Sequence, residues 1–337
     1  MRALVFHGPW DIRVEDRPDP EPESGEVLIE ILATGICGSD IHGFTGENGR
    51  RKPGQVMGHE TVGRIRGGDV PAALPTGALV TVNPILRCGR CAGCTASPPG
   101  RCTDSKIIGV APEISSAFAD LMVAPARNLV PLPTMLPIEY GALVEPLSVG
   151  FHAVGRGQCT PDDAVLVIGG GPIGQAAALA ARRVGARDIT VSEPDERRRT
   201  LLTDLGIAAV EPSALPTLDP RPTLVIDAVG SGRSVEDALT VSAPGSRTVL
   251  VGMQRPSVEI AAYAVSVEER TIVGSYSYTD AEFADTAAWV GTAPPELPRL
   301  IEGRVGWEAA AETFTGLAKG ENPASKVLVF PAGPPPR

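Results

Sequence analysis

The apolar run Ala164-Val165-Leu166-Val167-Ile168 passes directly into Gly169-Gly170-Gly171-Pro172-Ile173-Gly174, and an alanine-rich stretch, Gln175 to Val184, follows. A buried strand, a glycine turn and a helix in that order leave few folds open. In the spacing G-x-G-x-x-G, Gly169 permits a tight turn, Gly171 lets the backbone approach a pyrophosphate, and Gly174 lets helix and strand pack closely. Pro172 and Ile173 belong to the same cofactor-contacting turn, and the helix N-terminus that follows favours an anion through its free N–H groups and dipole. Further apolar runs, Ile189 to Ser192, Leu224 to Asp227, Val249 to Gly252 and Ile272 to Gly274, alternate with helical stretches. Short buried strands joined by helices predict a parallel, doubly wound sheet.

The second strand of this unit ends at Glu193, 19 residues beyond Gly174. A carboxylate there would accept hydrogen bonds from the ribose hydroxyls of NAD and repel the 2′-phosphate of NADP. Two other readings stand beside it. Glu193 could open a helix before Pro194, and Arg197 and Arg198 could meet a phosphate. The charge argument favours NAD over NADP.

The remaining sequence reads differently. With 337 residues the chain exceeds one hydrophobic core, so two domains of roughly 150 residues are expected. The first 150 residues are rich in glycine, proline and short β-branched runs such as Val27 to Ile31 and Ala78 to Val82, which predicts an all-β domain with irregular loops. After about residue 293 come Pro294, Pro295 and Pro298, a helix around Trp307 to Phe314, a final strand, Lys326 to Phe330, and a tail, Pro331 to Arg337, expected to fray. A terminal β segment after a complete α/β unit can rejoin the first domain and make it discontinuous.

Four of the six cysteines, Cys88, Cys91, Cys94 and Cys102, follow C-x2-C-x2-C-x7-C among Gly89, Gly93, Pro98, Pro99 and Gly100. Four thiolates this close can complete a tetrahedral zinc shell with no open position, as a structural site requires. An iron–sulfur cluster is the competing reading, although the fourth spacing departs from the ferredoxin run. Cys159 stands apart and reads as a small buried apolar residue.

A second constellation lies upstream. Cys37-Gly38-Ser39-Asp40-Ile41-His42 precedes Gly58-His59-Glu60, in a chain with four histidines. A thiolate, an imidazole and carboxylates supply three ligands and leave a fourth zinc position open, the arrangement catalysis needs. Other function classes are disfavoured. A formal charge of −10 argues against nucleic acid as the partner. No apolar run approaches the roughly 20 residues that cross a bilayer, and the start does not read as a secretory signal, so the expectation is a cytoplasmic protein without a membrane partner.

Taken with Val144-Glu145-Pro146-Leu147, these motifs stand in an order that resembles the zinc-containing medium-chain dehydrogenase/reductase superfamily of alcohol, sorbitol and threonine dehydrogenases. The resemblance covers nearly the whole chain. It implies an α/β plus β architecture: a discontinuous GroES-like catalytic domain, 1–148 with a zinc lobe at 88–102, a Rossmann NAD-binding domain, 149–293, and a return to the catalytic domain, 294–337, with the active site in the cleft. It implies two Zn2+ per chain. Cys37 and His59 would bind the catalytic zinc, Glu60 would be a third or exchanging ligand, and Glu145 would bind directly or through water where alcohol dehydrogenases carry a cysteine. Asp40 would orient His59, Ser39 would hydrogen-bond the substrate hydroxyl, and His42 would pass its proton to solvent.

The same resemblance implies an alcohol/ketone substrate, hydride transfer to NAD, and a homodimer or homotetramer. Glu145 and Ser39 point to a secondary alcohol of a polyol, sugar, cyclitol or amino alcohol. Gly43, where sorbitol dehydrogenases carry a tyrosine, and the absence of their arginine from Gly274-Ser275-Tyr276-Ser277-Tyr278 argue against sorbitol itself. Phe44, Tyr276 and Tyr278 are candidates to line the pocket or to pack. The alternatives are a simple alcohol or threonine-type dehydrogenase, a zinc-free quinone or enoyl reductase, which would usually lack Cys37 with His59, an electron-transfer protein, and a zinc-ribbon interaction protein with an NAD-sensing domain.

Overall fold

A computed structural model describes residues 1–47, 49–96, 102–114 and 116–335. Pro98, Pro99 and Gly100 of the cysteine segment and the last two residues of the tail lie outside them. The chain divides into two compact units, Met1–Glu145 with Phe283–Arg337, and Pro146–Glu282. The divisions thus fall a few residues before 148 and about three helical turns before 293, inside the helix Asp280–Gly291. Among the described residues no helix is long and apolar enough to cross a membrane.

The unit Pro146–Glu282 is built on a six-stranded sheet in the order Ala208–Val210, Asp188–Ser192, Ala164–Ile168, Leu224–Asp227, Arg247–Leu250, Thr271–Gly274, every neighbouring pair parallel. Ala164–Ile168 is buried throughout, as a strand covered on both faces must be. Its helix, Pro172–Val184, begins with proline in the first turn, where no backbone donor is lost. Two details differ from the sequence expectation. The fifth strand runs Arg247–Leu250 rather than Val249 to Gly252, because the polar residues Arg247 and Thr248 still pair with Leu224 and Val225. Ala208–Val210, a three-residue segment of which two are alanine, forms an edge strand that the apolar pattern did not reveal.

In the other unit a seven-stranded sheet is organised around the ten-residue strand Glu26–Gly35, which pairs antiparallel with Glu60–Gly68, Leu121–Pro125 and Val327–Val329. The C-terminal strand therefore sits beside Glu26–Gly35, Leu328 opposite Gly35 and Val329 opposite Thr34. It is shorter than the expected Lys326 to Phe330. The helix before it is longer than expected, Trp307–Lys319, and lays Trp307, Ala310 and Phe314 into a core with Leu4, Val5, Phe118 and Val327. Phe44 lies in the same core, 1% exposed, with its ring centroid 5.7 Å from that of Phe314. It is a packing residue, and the pocket-lining alternative falls away for it. Two-residue strands, Ile85–Leu86 and Lys106–Ile107, pair antiparallel on either side of the cysteine segment.

Phe314 is fully buried and meets both Phe44 and Phe118 edge-on. Phe314→Ala should destabilise this unit by about 3–5 kcal/mol through lost burial and a residual cavity, read as a lower denaturant midpoint. An unchanged midpoint would contradict the placement of that helix in the core.

Candidate active site

The strand Glu26–Gly35 ends one residue before Ile36, and Cys37 caps the helix Gly38–Thr45. The Cys37 amide donates to Asp40 Oδ2 at 3.1 Å, which closes the first turn. His59 and Glu60 stand at the start of the neighbouring strand, Glu60 paired with Gly35. One ligand atom from each of Cys37, His59 and Glu60 lies within 4.8 Å of the others. His59 is 5% and Glu60 1% exposed. Glu145, half-buried near the start of the helix Val144–Arg156, is not in this three-residue group, though its charge acts on His59.

The electrostatics fit a divalent cation. Burial opposes charge on the His59 imidazole, yet Asp40 and Cys37, with Glu145 adding to them, push its pKa up to about 10. His59 Nδ1 and Asp40 Oδ1 are 3.6 Å apart, both buried and without a hydrogen-bond partner among the described residues. A proton and a metal compete for the same imidazole lone pair, so zinc uptake expels the proton that this surplus of negative charge retains. Thiolate, imidazole and carboxylate are zinc donors, and three of them leave a position open.

Lys326 was not singled out by the sequence beyond heading the last strand. It is 3% exposed, and its Nζ donates to both Glu60 oxygens at 2.6 Å and to the Ile36 carbonyl at 3.2 Å. Burial works against its charge, while Glu60, Cys37 and Glu145 hold its pKa above the ordinary lysine value. The Glu60 carboxylate lies directly over Gly35: a Cβ there would be 1.9 Å from Oε2. The available sequence signal was a lysine beside an apolar strand in a chain with four lysines.

Ser39 Oγ is buried and has no hydrogen-bond partner among the described residues. His42 stands one turn further along the same helix, exposed, with Nδ1 2.6 Å from Glu47 Oε2. The lobe cysteines converge as their spacing implied, with ligand atoms of Cys88, Cys91, Cys94 and Cys102 within 4.8 Å of one another. Their thiols are driven apart in acidity. Backbone N–H groups of Thr103 and Cys94 bring Cys91 down to about 5, whereas burial, Cys102 and the other neighbouring thiols push Cys94 up to about 12. A metal removes that conflict by stabilising all four thiolates.

In the other unit, Gly169 has φ +98° and its Cβ would meet Val229, while a Cβ at Gly174 would stand 1.7 Å from the Gly169 carbonyl oxygen. Gly171 caps the helix and faces open space. Glu193 is 3% exposed and fixed against this turn, Oε2 accepting from the Gly170 amide at 2.7 Å and Oε1 from the Asp195 amide at 2.9 Å. Asp195, not Glu193, caps the next helix, accepting from the Arg198 amide. The Arg198 guanidinium comes within 3.8 Å of Glu193. Tyr278 is buried and Tyr276 is 46% exposed.

Comparison with known proteins agrees with this geometry. Residues 23–134 match the family model of the alcohol dehydrogenase GroES-like domain, and residues 172–292 that of zinc-binding dehydrogenase. L-galactonate-5-dehydrogenase of Escherichia coli K12 is 29% identical over 324 residues, 93% of this chain and 94% of that protein. A short chain alcohol dehydrogenase (rspB) from Escherichia coli CFT073, complexed with NADH, matches with a TM-score of 0.89 at 26% identity, over 98% of this chain and 99% of that one. A zinc-binding dehydrogenase from Sinorhizobium meliloti 1021 bound to NADP has the same TM-score and coverage at 28% identity.

The buried Lys326–Glu60 pair has a measurable consequence. Lys326→Met would leave a carboxylate buried without its cation and should cost about 3–5 kcal/mol. Adding Glu60→Gln should recover most of that loss in metal-free protein. Equal unfolding midpoints for wild type and Lys326→Met would contradict the pairing.

Proposed function

We propose that this chain, which belongs to the zinc-dependent medium-chain dehydrogenase superfamily, oxidises a secondary alcohol of a polyol, sugar, sugar acid, cyclitol or amino alcohol to the ketone, reversibly, with NAD as hydride acceptor. The observation that carries the reading is the convergence of Cys37, His59 and Glu60 ligand atoms within 4.8 Å. Cys37 and His59 hold the catalytic zinc. Glu60, tethered by Lys326, is a third or exchanging ligand, and Glu145 approaches directly or through water. When bound, zinc supplies a Lewis acid that lowers the pKa of the alcohol.

The chain's own groups do the rest. Ser39 Oγ, with no protein partner competing for it, takes the hydrogen bond of the substrate hydroxyl and passes its proton to His42. Glu47, 2.6 Å from His42 Nδ1, holds the ring in place for that transfer. Asp40 accepts from the far side of His59 and fixes which ring nitrogen faces the metal. The glycine turn and the amides opening Pro172–Val184 receive the pyrophosphate. Glu193 accepts from the adenosine ribose and disfavours a 2′-phosphate, which supports NAD over NADP, and Arg198 borders that site. The four lobe cysteines hold a structural zinc.

Glu145 in place of a cysteine and the relay serine support a polyol-type or sugar-acid substrate over a simple alcohol. The similarity to L-galactonate-5-dehydrogenase lies in the same direction. Gly43 removes a tyrosine that sorbitol dehydrogenases carry. A second copy is expected to associate along the edge strand Thr271–Gly274.

Purified protein should reduce NAD with members of a panel of polyols, sugar acids, cyclitols and amino alcohols, and reduce NADP more slowly at equal concentration. Cys37→Ala should abolish turnover while NAD still binds, measured by quenching or calorimetry. A zinc-free Cys37→Ala protein with wild-type turnover would overturn the proposal.

A further inference from the structure

We propose that Arg51 is a positioning residue for the catalytic metal, acting through Asp40 on His59, in space that the chain keeps open by carrying glycine at position 43. The inference rests on the reading of Cys37 and His59 as zinc ligands and concerns what holds them. Arg51 lies in the loop between the helix Gly38–Thr45 and the strand that begins at Glu60, and its side chain is 1% exposed. A guanidinium is removed from water at high cost and is retained there only where its donors meet acceptors.

Two of Arg51's three neighbours, the Ser39 carbonyl and Asp40, belong to the helix that Cys37 caps, and its Nε has no hydrogen-bond partner among the described residues. Nη2 donates to the Ser39 carbonyl at 3.3 Å and stands 3.5 Å from Asp40 Oδ1. Nη1 donates to the Val110 carbonyl. Asp40 is itself fully buried, with Oδ2 engaged by the Cys37 amide, so Oδ1 is the oxygen left between the guanidinium and His59 Nδ1. Once a metal takes the lone pair of His59, the imidazole is neutral and presents only a donor to Asp40. Among the described residues within 4 Å of that carboxylate, Arg51 is then the permanent cation. It offsets the buried negative charge and leaves Asp40 free to accept from the ring. Through the Ser39 carbonyl it also fixes the backbone that carries the relay hydroxyl.

Gly43 makes the arrangement possible. A Cβ there would come within 2.7 Å of Arg51 Nε and 2.8 Å of Cγ. The arginine stem crosses the glycine, and its head, tied at Ser39 and Val110, cannot retreat without leaving Asp40. The glycine that stands in place of the tyrosine of sorbitol dehydrogenases thus has a partner: the volume is filled from the opposite loop by a cation that serves the ligand network. An arginine is required because a lysine would supply charge without the fork that reaches two acceptors at once.

The test is release of zinc to a chromophoric chelator from the full-length protein, well below its unfolding temperature. The phase belonging to the Cys37 site is the one absent from Cys37→Ala, and the four-cysteine phase serves as internal control. Arg51→Met should accelerate the Cys37-site phase about 10–100-fold, the usual effect of losing a group that orients a ligand, and leave the other phase unchanged. Gly43→Ala should reproduce this with Arg51 intact, Gly43→Ala/Arg51→Met should be no worse than Arg51→Met, and Arg51→Lys should recover only part. If Arg51→Met does not fold, Gly43→Ala and Arg51→Lys carry the same comparison.

Variants that melt earlier yet release both metals at wild-type rates would overturn the inference and leave Arg51 as a loop anchor. Equal acceleration of both phases would overturn it as well. A wild-type protein that holds no metal removable by Cys37→Ala would instead overturn the reading on which it rests.

Discussion

Negative charge gathered in the interior at the end of one strand is the constraint on which the rest of the structure depends. Cys37, Asp40 and Glu60 converge where Glu26–Gly35 meets Glu60–Gly68, with Glu145 acting electrostatically on the same group. Buried carboxylates and thiolates are costly unless countercharged. The chain supplies Lys326 against Glu60 and Arg51 against Asp40, and retains a proton on His59. Those cations do not saturate the site, since the imidazole Nδ1 and Asp40 Oδ1 still lack a hydrogen-bond partner among the described residues. A divalent ion held by Cys37, His59 and Glu60 would complete the balance.

The discontinuity of the first unit supplies one of these cations. Lys326 reaches Glu60 across 266 residues of sequence because the C-terminal strand pairs with Glu26–Gly35, Leu328 opposite Gly35. The helix Trp307–Lys319 anchors that return through Phe314 against Phe44 and Phe118. The α/β unit between them is a separate sheet with its own core.

What could be read in the sequence was chemistry encoded by local spacing. The glycine turn, the four lobe cysteines, and Cys37 with His59 are patterns in which a few neighbouring residues fix the geometry, and the structure places each set together. The parallel sheet was legible because its central strands are continuous apolar runs. What escaped were partners chosen by tertiary pairing. Lys326 and Arg51 look like ordinary surface cations until the fold buries them. Ala208–Val210 is too short and alanine-rich to declare itself, and the polar start of Arg247–Leu250 hid two residues of strand. Phe44, one of the candidates for a pocket wall, belongs to the core because the C-terminal helix returns to cover it. Gly43 read only as the loss of a tyrosine, since its neighbour Arg51 lies in the loop beyond its helix.

Anomalous diffraction at the zinc absorption edge, from crystals of protein purified without chelator, would locate the metal ions themselves. Two peaks per chain are predicted, one amid Cys88, Cys91, Cys94 and Cys102, the other at bonding distance, about 2.0–2.3 Å, from both Cys37 Sγ and a His59 ring nitrogen. A peak at the four cysteines with none between Cys37 and His59 would contradict the account.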